Sequence, residues 1–443
     1  MSNTVNLSVF VPFEKENEYF EKNTITFKKL PNGITMIGIP KEEQDIFDAS
    51  TQYVFNSGSH NDPIGKKGIH HLFEHLLVNL IQKAPKSVDI YKNAYTSHRK
   101  IIVDTQGTAN PKVKQYGMWP MIKPIISSLK DPLEKLTISQ IENEVKIVLQ
   151  EIAEKNTDPS YHAYRFMYEC IYANDNPLRA DTLGNETDLK SISSDDLSQI
   201  ANHVFVPQGL TIRTFTQGNL NLAAEMLLEI EKEIIDFPRE KTKPLRVDVD
   251  LQDSVNPTFK PGNVYVKNDG LKNNLISVNF VWIIPAIDFT SHSFALSRLM
   301  PIFHDELLSY SRKNGLGYSS YATSSSHKNF RTITMSITLN KNTSVAEIKN
   351  TIFPGIKKHT IENLDSDILQ ELYAKEKLVQ IAVPMSTQTR ANILQDGLDI
   401  YNRVIDADKV KNEYQNISLS DFKDWRNKLL QIEPAIIISG DID

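Results

Sequence analysis

His71, Glu74 and His75 stand inside the apolar run Gly68-Ile69-His70-His71-Leu72-Phe73-Glu74-His75-Leu76-Leu77. The two histidines are four residues apart, so on a helix their rings project from one side, one turn apart. Glu74, three residues after His71, shares that side. Two neutral imidazoles so placed can hold a zinc ion, and the carboxylate between them can take a proton from a water that the metal activates. The competing reading is a core helix with an accidental histidine pair. That helix would bury three polar groups on one stripe, each needing a partner. The metal reading is preferred, and it calls for a third ligand.

The segment Ile141-Glu142-Asn143-Glu144-Val145-Lys146-Ile147-Val148-Leu149-Gln150-Glu151-Ile152 supplies a candidate. Val145, Val148, Leu149 and Ile152 form the apolar face of a helix, and Glu144 and Glu151, two turns apart, share another face. By itself such an acidic pair is a solvated helix face. Here it follows an H-x-x-E-H motif, the inverzincin signature, and Glu151 lies 76 residues after His75. With these residues the chain resembles the M16 metallopeptidases, the group of pitrilysin, insulin-degrading enzyme and the mitochondrial processing peptidase. The resemblance implies that His71, His75 and Glu151 are the ligands of one zinc ion per chain. It makes Glu74 the general base and Glu144 the acid that supports the site from behind.

Two further stretches carry the same resemblance. Asn93-Ala94-Tyr95-Thr96 is similar to the family's sheet edge that pairs with the substrate backbone near zinc, which implies substrate contacts at Asn93 and Ala94; His98-Arg99-Lys100 departs from the pattern. The run Glu306 to Ser319 is similar to the family's Arg-and-Tyr motif, in which a helix end passes through Gly-Leu into a strand and holds substrate. Tyr318 matches it, but Ser311 stands where the arginine belongs and Arg312 comes one residue late. One residue turns a helical side chain by about 100°, so Arg312 is expected to face elsewhere. Four halves are usual in this family and two are present here, which implies a dimer. The missing arginine favours a heterodimer with a second M16-like subunit over a homodimer.

The elements that must position these groups are legible in outline. Leu30-Pro31-Asn32-Gly33 joins two short apolar strands as a hairpin. Ser50–Phe55 is a strand, and residues 58–67 are a polar loop leading into the motif helix. Residues 93–103 form an extended stretch, followed by helices around 111–130 and 138–155, a helix over 195–204, and a strand over 210–215 that ends at Gly218-Asn219-Leu220. The chain then starts again. Ile192-Ser193-Ser194-Asp195 is echoed by Ile417-Ser418-Leu419-Ser420, and Gly218-Asn219-Leu220 by Gly440-Asp441-Ile442, at offsets of 225 and 222 residues. Paired echoes of this kind indicate two similarly built halves: residues 1–235 with the metal residues, a Pro- and charge-rich linker over 236–257, and residues 258–443, whose helix Ser291–Phe303 has no H-x-x-E-H and so binds no metal. The fold class is α+β, and the resemblance implies that each half is a mixed, largely antiparallel sheet packed with helices.

With 443 residues, 40% of them hydrophobic and 23% charged, the composition is that of an ordinary globular protein. A net charge of −6 without a basic run gives no nucleic-acid footprint and no membrane-surface patch. The single cysteine, Cys170, excludes an intrachain disulfide and reads as a packed, inert thiol. Residues 1–23 lack a basic-then-apolar leader, and no window reaches 18 uninterrupted apolar residues. A cytoplasmic protein is expected. Its expected activity is that of a zinc endopeptidase or oligopeptidase acting on peptides or unfolded segments. The rival is a non-catalytic assembly subunit, like the respiratory-complex core subunits that resemble this family. A small-molecule metallohydrolase fits the motif but not the duplicated chain.

Overall fold

The computed structural model describes residues 4–5, 26–41, 49–82, 91–109, 112, 117–130, 136–174, 176–204, 206–217, 220–235, 255–271, 274–285, 287–317, 319–326, 330–382, 393–394, 397 and 405–441. Most of the expected 236–257 linker lies outside them, as does Tyr318.

Strands β1 (Thr26–Lys29) and β2 (Thr35–Lys41) pair antiparallel across the Asn-Gly turn. Gly33 has φ 98° there, and a Cβ at that position would come within 2.9 Å of Gln208 Cγ, so the turn needs glycine twice over. Strands β3 (Ala49–Phe55), β4 (Tyr91–Thr96), β5 (Ile101–Gly107) and β6 (Leu210–Gln217) complete a six-stranded sheet ordered β1-β2-β6-β3-β5-β4, in which only β2 and β6 run parallel. The second sheet contains β7 (Val264–Asn268), β8 (Leu275–Pro285), β9 (Ser320–Ser326), β10 (Phe330–Asn340) and β11 (Ala435–Gly440), ordered β9-β10-β8-β11-β7, with β7 and β11 its one parallel pair. Set aside β1 and the two sheets have the same order and the same parallel pair. The halves are built alike.

Helices cover each sheet in corresponding ways. α1 (Ile69–Gln82) lies across the β4–β5 hairpin, and α2 (Trp119–Lys130) and α3 (Ile138–Lys155) pack against it. Ile69, Leu72, Phe73, Leu76 and Leu77 of α1 are buried in one core with Tyr53, Phe55, Ile101, Val103 and Val148. Removing a ring such as that of Phe73 from this core costs about 3–5 kcal/mol. In the second half the long helix Ser291–Lys313 takes the place of α1 against β9, over a core that contains Phe280, Trp282, Leu299, Phe303 and Trp425. A helix of the first half, α4 (Pro159–Ile171), crosses over to the second sheet, where Met167, Cys170 and Ile171 pack with Val281, Ala435 and Ile437. Cys170 is buried there, and burial pushes its thiol up to about 12.

Two elements of the first half differ from the sequence reading. The stretch 93–103 is two strands, not one, because Ser97 turns the chain: its amide donates to Lys100 O at 2.8 Å while its hydroxyl accepts from the amides of Arg99 and Lys100. The helix expected from 111 starts at Trp119. Gly117 precedes it at φ 70°, pressed so close to Thr108 that a Cβ would meet the carbonyl at 2.2 Å. By contrast α3 begins where the sequence places it, with Thr137 and Gln140 closing a reciprocal capping box. No helix among the described residues is long and apolar enough to cross a membrane.

Candidate metal centre

The apolar stripe of α1 dictates where the polar residues go. With Leu72, Phe73, Leu76 and Leu77 turned into the core, His71, Glu74 and His75 are left beside α3. Their donor atoms lie within 4.8 Å of one another, the one such group of metal-ligand side chains among the described residues. The two imidazoles meet edge to face with centroids 4.7 Å apart. On α3, buried Val148 anchors the helix and brings Glu144 and Glu151 to face them. Glu151 Oε2 is 3.6 Å from His71 Nε2 and 3.6 Å from His75 Nε2. Glu144, 6% exposed, stands with Oε2 3.3 Å from His75 Nδ1.

These separations suit a metal better than hydrogen bonds. Atoms about 2.1 Å from a zinc ion in a tetrahedron are about 3.4 Å from one another, close to both observed 3.6 Å distances. A direct N–H···O bond would be about 2.7–3.2 Å. Glu144, as acceptor, places a proton of His75 on Nδ1 and leaves Nε2 as the nitrogen that faces Glu151. His71 Nδ1 is buried with no hydrogen-bond partner among the described residues, so His71 lacks the outer support that His75 has.

The electrostatics favour a cation. Burial, helped by the charge of His75, lowers the His71 pKa to about 4 and keeps its lone pair available at neutral pH. Burial also opposes the charged form of His75, but the carboxylates of Glu151, Glu74 and Glu144 outweigh it and raise its pKa. Glu151 is lowered by the adjacent His75 imidazole. Glu74 is raised by burial, with Thr96 and His75 pulling against it. Three carboxylates around two imidazoles, most of them out of water, form a pocket that a divalent ion would neutralise.

The other singled-out residues are dispersed. Asn93 and Ala94 sit on β4, an edge strand of its sheet, with Asn93 exposed and Ala94 9% exposed toward the core. β4 ends at Thr96, the neighbour of Glu74, so this edge runs up to the metal residues. Ser311 is fully buried and donates to Leu307 O at 2.7 Å, while Arg312 is exposed. Arg312 therefore does not take the direction of Ser311. The sequence reading passed over one group: residues 59–62, expected as a polar loop, are buried, with Asp62 against His70. The signal available was His70 itself, a third histidine in the motif run with no part in the metal reading.

The duplicate sheets agree with what comparison with known proteins finds. A protease from Helicobacter pylori superposes with a TM-score of 0.69, covering 95% of this chain and 100% of that one at 16% identity. The chain has the M16 peptidase fold. A family model described as the peptidase M16 inactive domain matches residues 191–375. That range starts beyond Glu151 and leaves the metal residues outside it. The periplasmic protease PqqL from Escherichia coli covers 98% of this chain with 48% of its own length (TM-score 0.66, 14% identity). A chain of complex III2 from Candida albicans, solved with Inz-5 bound, covers 94% of this chain and 95% of its own (TM-score 0.66, 13% identity). No curated protein matches the sequence. Similar folds thus occur both in proteases and in a chain of complex III2.

Proposed function

We propose that this protein is a zinc-dependent endopeptidase or oligopeptidase that works with a second M16-like subunit. The observation that carries the reading is the convergence of His71, His75 and Glu151 at 3.6 Å separations from two helices. His71, His75 and Glu151 would hold the zinc, which when bound would supply Lewis acidity toward a water and the scissile carbonyl. Glu74 has a pKa raised by burial, which suits a base that accepts the water's proton and returns it to the leaving amine. Glu144 holds the His75 ring in one orientation. An extended peptide adds to the edge strand β4 beside Asn93, and only unfolded or short chains offer such a free strand. In this reading Tyr318 contributes to substrate binding from the second half, and residues 236–257 link the two halves.

The second reading, a non-catalytic assembly subunit, is favoured by the match to the inactive-domain model and by the likeness to a complex III2 chain. Metal content and peptide cleavage separate the two. The purified protein is expected to hold close to one zinc per chain. Glu74→Gln is expected to keep that zinc while lowering peptide cleavage, in the presence of any partner subunit, by about 10²–10⁴-fold. Absence of transition metal in protein prepared without chelator, or unchanged cleavage by Glu74→Gln, would refute the protease reading.

A further inference from the structure

His70 neighbours a metal ligand yet takes no part in the metal group. Its Nδ1 is 2.6 Å from Asp62 Oδ1 and its Nε2 is 2.9 Å from Ser57 Oγ. Asn61 Nδ2 donates to the same Ser57 oxygen at 3.0 Å. Asp62 uses its other oxygen to accept the amide of Gly68 at 2.7 Å, and Oδ1 also accepts the amide of His70 at 3.3 Å. Ser57, Asn61, Asp62 and His70 are 4%, 6%, 6% and 0% exposed.

The chemistry of the groups places the hydrogens. A carboxylate only accepts, so His70 Nδ1 carries its proton toward Asp62. Nε2 then accepts, so the Ser57 hydroxyl donates to it, and Ser57 Oγ is free to accept from Asn61. The chain Asn61 to Ser57 to His70 to Asp62 runs in one direction with no conflict. Ser, His and Asp in this order resemble a hydrolytic triad, but Ser57 is too deeply buried to meet a substrate carbonyl. Asp62 instead acts as a cap. It holds the amides at the start of α1, where the helix dipole favours a negative charge. Because these contacts lie inside the protein, a lost partner leaves an unsatisfied polar group and not a hydrated one.

We propose that the buried Ser57–His70–Asp62 chain is a positioning device for the metal centre: it locks the first turn of α1 so that His71, the next residue, meets Glu151 at ligand separation. The idea rests on the metal-site reading above. His71 Nδ1 has no hydrogen-bond partner among the described residues, so its direction is set chiefly by the backbone of α1. That backbone is what Asp62 and His70 hold from beneath. His75, supported directly by Glu144, depends on the chain less.

The test compares the full-length wild type with His70→Ala, His70→Asn and Ser57→Ala. His70→Asn keeps a donor toward Asp62, and Ser57→Ala removes only the far end of the chain. Leu227→Ala, in the same core but away from the metal group, controls for lost stability. Zinc affinity is measured by chelator competition, and the visible spectrum of the cobalt-substituted protein reports ligand geometry, both well below each variant's unfolding temperature. His70→Ala is expected to weaken zinc binding about 10–100-fold and to alter the cobalt bands. His70→Asn should recover part of the loss, and Ser57→Ala should show a smaller loss of the same kind. Leu227→Ala should melt earlier yet bind zinc normally. Wild-type affinity and spectrum in His70→Ala, or in Ser57→Ala and His70→Asn where the alanine variant does not fold, overturn the proposal and leave the metal site standing. Failure of the wild type itself to bind zinc or cobalt overturns both.

Discussion

Replacing Glu144 by Gln changes one charge in the site and almost nothing of its shape. The carboxylate lies 3.3 Å from His75 Nδ1 and its side chain is 8% exposed, so water screens it little. A hydrogen bond to a charged group contributes about 1.5–3 kcal/mol, against about 1 kcal/mol for a neutral pair. The glutamine amide oxygen can still accept from Nδ1, so the neutral part survives and about 1–2 kcal/mol is lost. That corresponds to a zinc dissociation constant raised about 5–30-fold. Glu151→Gln is the reference, since it removes an anionic group 3.6 Å from both imidazoles and should release zinc far more readily. Chelator competition at constant pH and salt measures both. Affinities for Glu144→Gln within a factor of two of wild type would show that Glu144 does not support His75, and the same result for Glu151→Gln would remove the third ligand from the scheme.

Two other outcomes follow from the structure. Arg312 is exposed and Ser311 buried, so Arg312→Ala should leave peptide cleavage unchanged, while the isolated chain should cleave weakly and gain activity when mixed with a related subunit carrying the arginine. Strong cleavage by the chain alone that collapses in Arg312→Ala would show it to be self-sufficient. His60, 8% exposed, has its pKa lowered by burial from 6.5 to about 4. The folded form therefore resists a proton that the unfolded chain accepts, and stability is fully present above pH 6.5 and falls as pH drops toward 4. His60 contributes about 3 kcal/mol to that fall. Denaturant unfolding of wild type and His60→Gln at pH 7 and pH 4.5 should show a gap between them that changes with pH; a constant gap refutes the assignment.

Much of the centre is written in short-range spacing. An i, i+4 histidine pair projects from one side of any helix, and the apolar residues around it decide that the side faces α3, not solvent. Asn32-Gly33 makes its hairpin and Thr137 with Gln140 starts α3 because turns and caps are decided within four residues. The duplication, too, was legible through the echoes at Ile192 and Ile417, since like halves end in like elements. Other features needed the folded chain. The meeting of Glu151 with His71 and His75 spans 76 residues and depends on how α1 and α3 pack. The split of 93–103 at Ser97 rests on three bonds to one serine, and the start of α2 rests on Gly117 pressed against Thr108. Burial of residues 59–62 was the least readable of all. Polar side chains near a helix start predict a solvated loop, and it takes buried partners, the His70 ring and the amides of Gly68 and His70, to make it favourable for Asp62 to leave water. Whether two polar groups find each other is decided by packing, and no window of sequence contains that information.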